Sequence, residues 1–499
     1  MPLAVAGALV TVAGLVLFAT FRPRARRRFS ESVVVHDRAA AIGAARAHVR
    51  ELTGIDVTDW PVFAVPCSDP GLLQQAHQLD VVDAVVPAFL RWGLLYGWRV
   101  RFWGREDTIV VGLGGTGTVN FLQMAGRSRN AVSALGRPTP PTVLPPPILP
   151  NGAVSASVGA RVPGGAPAAD LRSEAAPNPE AATFVEEPVP ARVAVTVESW
   201  NGRVVGVTTR PSIANDALDG VLHADRRCRR LQRAAMQCMA LALVGGGLVL
   251  AVNREIPQLG WAVVLGLVTF ASVMAGEPQM FPRAVVYEFD GREPLAACRR
   301  RHRRETAVAA LVNGGFVTAG VAVGGELLSM AGAAAPPSVP IQIAVGAAVA
   351  SMWLGLTAAA YVLLSARGRL AATAELPPST LRRLGYSWRE LIGASIQSSI
   401  GEEVLYRLVI VSLAWYLLGQ PLIGVAVAAA VWSATHDVGD VRPRRLRSLE
   451  LFAFGCVLGA VFVVAGLAAA VAAHLLFNLL LLGWPLLATE RRRVEALWR

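Results

Sequence analysis

Apolar residues in this chain gather into runs of about twenty, the length an α-helix needs to cross roughly 30 Å of bilayer hydrocarbon. Inside lipid each backbone N–H and C=O must find a partner within the protein, so such runs fold as helices. The first run, Leu3 to Phe21, is followed at once by Arg22, Arg24 and the triplet Arg26, Arg27 and Arg28. That order, apolar before basic, predicts a signal anchor with its amino end outside and not a cleavable signal peptide. Further runs lie near 234–252, 259–276, 306–332, 341–365, 391–419, 421–438, 449–467 and 468–488, the last two parted by a turn at Gly466. The expectation is an all-α polytopic membrane protein with about nine transmembrane helices and a small soluble α+β insert after the first.

Composition agrees and narrows the classes. Over 499 residues the chain is 54% hydrophobic and 16% charged, with a mean hydropathy of +0.46, a balance that excludes an ordinary soluble enzyme. The formal charge is 47 minus 35, or +12, and all 47 basic residues are arginine. A surplus of this kind suits nucleic acid or an anionic membrane surface, and the apolar runs decide for the lipid bilayer, with no nucleic acid expected. If the spans alternate, the clusters at 226–233, 299–304, 367–383, 442–447 and 491–493 fall on one side. A multi-pass cell-membrane protein is expected, its insert and carboxyl tail cytoplasmic. The cysteines, Cys67, Cys228, Cys238, Cys298 and Cys456, show no CxxC spacing, so neither a zinc knuckle nor a disulfide framework is indicated.

The organisation read from these features is an anchor with basic flank (1–28), a cytoplasmic insert (29–230), non-catalytic transmembrane helices (231–388), a catalytic transmembrane domain (389–490) and a basic tail (491–499). Within the insert, Val193 to Thr209 reads as two strands around Asn201-Gly202, a favoured hairpin turn. Residues 137–192 are rich in proline and alanine and read as a disordered linker. Gly112, Gly114 and Gly117 satisfy a literal GxGxxG, but a strand-like stretch follows where a dinucleotide fold needs a helix, so a glycine-rich β-turn is expected.

The run at 391–419 holds Glu402, Glu403 and Arg407 in otherwise apolar sequence. A charge at the centre of a spanning helix costs about 2.5–3.5 kcal/mol on insertion scales, so these residues need partners or a task. Glu403 and Arg407, spaced i, i+4, can pair, which leaves Glu402 turned about 100° away toward the bundle. The next run ends in Trp432 and His436, and the last carries His474 and Asn478, both at the same spacing. A carboxylate, two imidazoles and a carboxamide in a dry bundle suffice to activate water and hold an oxyanion. At 1.5 Å per residue, Glu402 lies roughly 16 Å deep, His436 about 21 Å and His474 about 9 Å. These depths meet at one site only if boundaries move by about two to four residues. His436 also reads as a helix-end histidine capped by Asp437 or Asp440, and His474 with Asn478 as an interhelical pair.

These three elements in this order, EExxxR, aromatic-xxx-His and HxxxN, resemble the CPBP group of intramembrane endopeptidases. That group includes the type II CAAX prenyl protease, which processes Ras-like proteins, and the Abi bacteriocin-immunity proteins. The resemblance covers roughly residues 388–488. It implies Glu402 as general base with His436, His474 and Asn478 as oxyanion donors, and Glu403 with Arg407 as a supporting pair. Trp432 stands where the family usually has Phe. A membrane-associated peptide or protein substrate is implied, and a non-proteolytic membrane partner or immunity protein is the alternative. Glu402, His436 and His474 would be the ligands were zinc used, but no HExxH occurs and a metal-free glutamate mechanism is favoured.

Overall fold

The computed structural model describes residues 2–25, 38–69, 94–105, 107–114, 119–126, 142–144, 191–200, 203–213, 259–289, 293–369, 371–372, 388–436, 441–442 and 444–487, with isolated positions elsewhere between 72 and 245. It is mostly helical, with one seven-stranded sheet and one two-stranded pairing. Helix α1 (Pro2–Ala25) precedes α2 (Arg38–Thr53) and seven strands: β1 (Val62–Ser68), β2 (Tyr96–Trp103), β3 (Asp107–Gly114), β4 (Val119–Gly126), β5 (Thr142–Leu144), β6 (Ala191–Trp200) and β7 (Arg203–Ile213). Then come α3 (Leu259–Tyr287), α4 (Leu295–Met330), α5 (Val339–Ala366), α6 (Trp388–Glu402), a π-helical segment (Glu403–Val411), α7 (Ser412–Leu418), α8 (Pro421–Ala434), α9 (Arg444–Ala465) and α10 (Leu467–Leu487).

Among the described residues four helices are long and apolar enough to cross a membrane: Leu259–Tyr287, Leu295–Met330, Val339–Ala366 and Arg445–Ala465. Shorter apolar helices cover Ala6–Phe21, Pro421–Ala434 and Leu467–Leu481, and the run expected at 234–252 lies outside the described residues apart from isolated positions. Lipid tails give apolar side chains no reason to seek one another, so packing falls to small residues that let backbones meet. A Cβ on Gly14 of α1 would lie 2.3 Å from the Ser351 carbonyl carbon of α5, and one on Gly355 would lie 2.6 Å from the Gly14 oxygen. Gly466, in the left-handed region at φ 94, alone separates α9 from α10.

The insert is an antiparallel sheet in the order β1-β2-β3-β4-β7-β6-β5. Helix α2 buries Ala41, Ala45, Val49 and Leu52, one face at helical spacing, in a core with Trp98, Val100, Phe102, Ile109, Val111 and Leu122. Trp200 pairs with Arg203, so the strands flank Asn201-Gly202, themselves outside the described residues. Glycine 117 (φ 81) lies in the link from β3 to antiparallel β4, and no helix follows the GxGxxG.

Three expectations need correction. Residues 142–144 are not linker, because Thr142 to Leu144 pair with Val197 to Val195 and complete the sheet edge; 191–192 belong to β6. The run expected at 306–332 starts earlier as helix, because α4 begins at Leu295 and carries Arg299 to Arg304 straight into the apolar span. The run at 421–438 is helical only to Ala434, leaving His436 beyond the helix end. Ala371 and Ala372 pair with Arg442 and Val441, joining two of the segments expected on one side.

The sheet docks on the carboxyl end of α3. Buried Arg101 of β2 donates from Nε to Thr108 Oγ1 at 2.8 Å and from Nη1 to the carbonyls of Val285 and Phe289. Those carbonyls sit at a helix end, where acceptors lack intrahelical donors and a cation is favoured. Trp103 and Phe63 pack beside them against Phe281 and Val285.

Candidate active site

The side chains of the site come from three stretches: α6 with the π-helical segment, α8 with the residues just past its end, and α10. Glu402 ends α6, and Glu403 and Arg407 lie in the π-helical segment that continues it. Both are fully buried, with Arg407 Nε 3.3 Å from Glu403 Oε2. Arg407 also donates to the Gly455 carbonyl at 3.3 Å and stands over the Trp432 ring, 5.1 Å from its centroid. The pair expected from spacing is therefore present, and Glu403 has a second task that spacing did not show: its Oε1 accepts a 2.7 Å hydrogen bond from His474 Nδ1, 71 residues away.

Glu402 is held at both oxygens. Ser398, one turn earlier, donates to Oε1 at 2.6 Å, and the Trp432 indole N–H donates to Oε2 at 2.6 Å. Past the end of α8, His436 turns back so that Nδ1 donates to the Trp432 carbonyl at 2.8 Å, its ring 4.2 Å from that of Trp432. From α10, His474 approaches edge-on to Trp432. The Nε2 atoms of His436 and His474 end 4.0 and 3.9 Å from Glu402 Oε2. Depth counting along assumed spans left convergence open, and the three groups do meet. Asn478 lies one turn beyond His474, partly exposed, and makes no hydrogen bond among the described residues.

The ring tautomers follow from the partners. A carboxylate and a carbonyl only accept, so Nδ1 carries a proton in both imidazoles, and each ring turns its Nε2 toward Glu402. Separations near 4 Å are too long for direct hydrogen bonds and of the size one water bridges. A cavity of about 980 Å³ between α3, α4 and α6 reaches Glu402, with Thr269, Asn313, Phe316, Ser398, Tyr406 and Thr435 also on its wall.

Zinc asks for something tighter. Ligands about 2.0–2.1 Å from a tetrahedral ion stand about 3.3–3.4 Å apart, whereas Glu402 Oε2 is 3.9–4.0 Å from the two Nε2 atoms and already holds the indole N–H. No group of three His, Cys, Asp or Glu side chains among the described residues is arranged to hold an ion. The residues as placed do not fit the metal.

Sequence reasoning missed Ser398 and the Glu403–His474 bond. Ser398-xxx-Glu402 was readable as an i, i+4 pair, whereas nothing local marks a contact between α10 and the π segment.

Comparison with known proteins bears out the family resemblance. Residues 385–480 match the family model described as type II CAAX prenyl endopeptidase Rce1-like, a range that includes Glu402, Glu403, Arg407, Trp432, His436, His474 and Asn478. The sporulation-killing factor biosynthesis protein SkfC of Bacillus subtilis (strain 168) is 27% identical over 483 residues, 96% of this chain and 94% of SkfC. No solved structure matches. Residues 385–480 are thus similar to the CAAX-protease family, in a chain with four helices long and apolar enough to cross a membrane among its described residues.

Proposed function

We propose that the chain is an intramembrane endopeptidase that hydrolyses a peptide bond of a membrane-associated polypeptide through Glu402 and His436. The observation that carries this is one carboxylate oxygen of Glu402, a residue on a cavity wall, faced by two imidazole Nε2 atoms at 3.9 and 4.0 Å, inside the segment that matches a peptidase family. The full topology is part of the reading: about nine spans, a cytoplasmic insert and tail, and a catalytic domain over 389–490.

A water between the three groups donates one hydrogen to Glu402 Oε2 and the other to His436 Nε2. As its oxygen attacks the scissile carbonyl carbon, Glu402 takes the first proton, and the carbonyl π electrons move onto oxygen. The Asn478 amide donates to this oxyanion. His474, entering the cycle with a proton on each ring nitrogen, also donates to it from Nε2, with Glu403 opposite across the Nδ1 bond. Glu402 then passes its proton to the departing amine as the C–N bond breaks, leaving a carboxylic acid and a free amine. SkfC takes part, by its name, in making a sporulation-killing factor, which favours a processing role over immunity.

Wild type, Glu402→Ala and His474→Ala, each shown to fold, are co-expressed with a membrane-substrate library and the products mapped by mass spectrometry. Cleavage by wild type alone is expected. Equal products from all three would sink the reading.

A further inference from the structure

Resting on the endopeptidase reading, we infer that Trp432 is a positioning residue whose indole N–H, and not only its ring, orients Glu402 for attack. A Phe ring could fill the same space, and Phe has no donor. Here the indole is 2% exposed and in contact with four charged or titratable groups of the site: Glu402, His436, His474 and Arg407.

The geometry makes the N–H matter. Indole nitrogen donates and never accepts, so its bond to Glu402 Oε2 at 2.6 Å takes up one lone pair of that oxygen. Ser398 occupies Oε1 at 2.6 Å, which fixes the rotation of the carboxylate about its last bond. The remaining Oε2 lone pair is thereby turned toward the space between the His436 and His474 Nε2 atoms, where the mechanism needs the water. With Phe in place of Trp432, the buried side of Oε2 loses its donor, and the carboxylate turns to seek another. Ground-state substrate binding does not involve this bond, so the loss falls on turnover.

The bland reading is that Trp432 only fills space between His436 and Phe454, 4.2 and 6.1 Å from its ring. Replacing Trp432 by 3-benzothienylalanine, which keeps the two-ring shape and lacks the N–H, separates the two. With a quenched fluorescent peptide carrying a cleavage sequence from the library, both that variant and Trp432→Phe are expected to lose about 10- to 100-fold in kcat, with KM within about threefold. Wild-type kcat in the benzothienylalanine variant overturns the proposal.

A second measurement does not depend on cleavage. The ultraviolet resonance Raman difference between wild type and Trp432→Phe isolates the Trp432 indole, and a strongly hydrogen-bonded N–H is expected, weakened in the Glu402→Leu background. An unbonded N–H in wild type overturns the proposal alone. A wild type that cleaves nothing while the bond is present overturns the endopeptidase reading, and the rate claim falls with it.

Discussion

Removing one member of the Glu403–Arg407 pair should cost far more than removing both. Neither side chain exposes any surface, and Arg407 Nε stands 3.3 Å from Glu403 Oε2. At an effective dielectric constant of about 20 the attraction at that distance is about 5 kcal/mol. Arg407→Leu leaves Glu403 buried with only His474 Nδ1 to answer its charge and removes the donor to the Gly455 carbonyl. Breaking a buried pair from one side typically costs about 3–5 kcal/mol, whereas replacing both members by apolar groups is often close to neutral. Arg407→Leu and Glu403→Leu are therefore each expected to destabilise by about 3–5 kcal/mol, and the double variant by no more than either single. A double-mutant cycle measured by SDS titration in mixed micelles, with folded fraction read by limited proteolysis, gives the coupling. A value above about 2 kcal/mol is expected. One below about 0.5 kcal/mol, the level at which independent sites add, would refute the buried-pair reasoning.

Asn478→Ala should lower kcat by about 10²–10³ with KM little changed, as for loss of one oxyanion donor; parallel losses in kcat and folded yield would point to a packing role. Gly14→Val should lower the melting temperature in detergent, because its Cβ meets the Ser351 carbonyl carbon at 2.3 Å, whereas Gly7→Val, with nothing within 4 Å, should not. Burial pushes the Cys67 thiol above its ordinary range. Less thiolate is then present at pH 8 than in a free thiol, so maleimide labelling of Cys67 should level off at higher pH than a free-thiol control, and levelling off at or below the control's pH would contradict this.

Chemistry was more legible in the sequence than geometry. Glu402, Glu403 and Arg407 stood out because charge inside an apolar run has few benign explanations. The histidines stood out by their i, i+4 partners. Depth counting could not bring them together because it assumed a helix through His436, while α8 stops at Ala434 and His436 turns back onto Trp432. Hydropathy began the α4 span at 306, although the backbone is already helical from Leu295, since arginine forms helix well and only lipid rejects it. The Asn201-Gly202 hairpin was local and readable, whereas the β4–β7 and β5–β6 pairings join distant segments that no turn signal links. The Glu403–His474 and Trp432–Glu402 bonds are of the same kind, made by tertiary packing between helices that carry no mark of each other.

In the proposed reaction Glu402 activates water for peptide-bond hydrolysis. Purified protein turning over a cleavable peptide in water enriched in oxygen-18 tests it most directly, by mass spectrometry of the new carboxyl group. Wild type should place one heavy oxygen in each new carboxyl terminus, and Glu402→Gln should fall by about 10²–10⁴ in rate. Cleavage by Glu402→Gln at the wild-type rate, with the same label, would contradict the account.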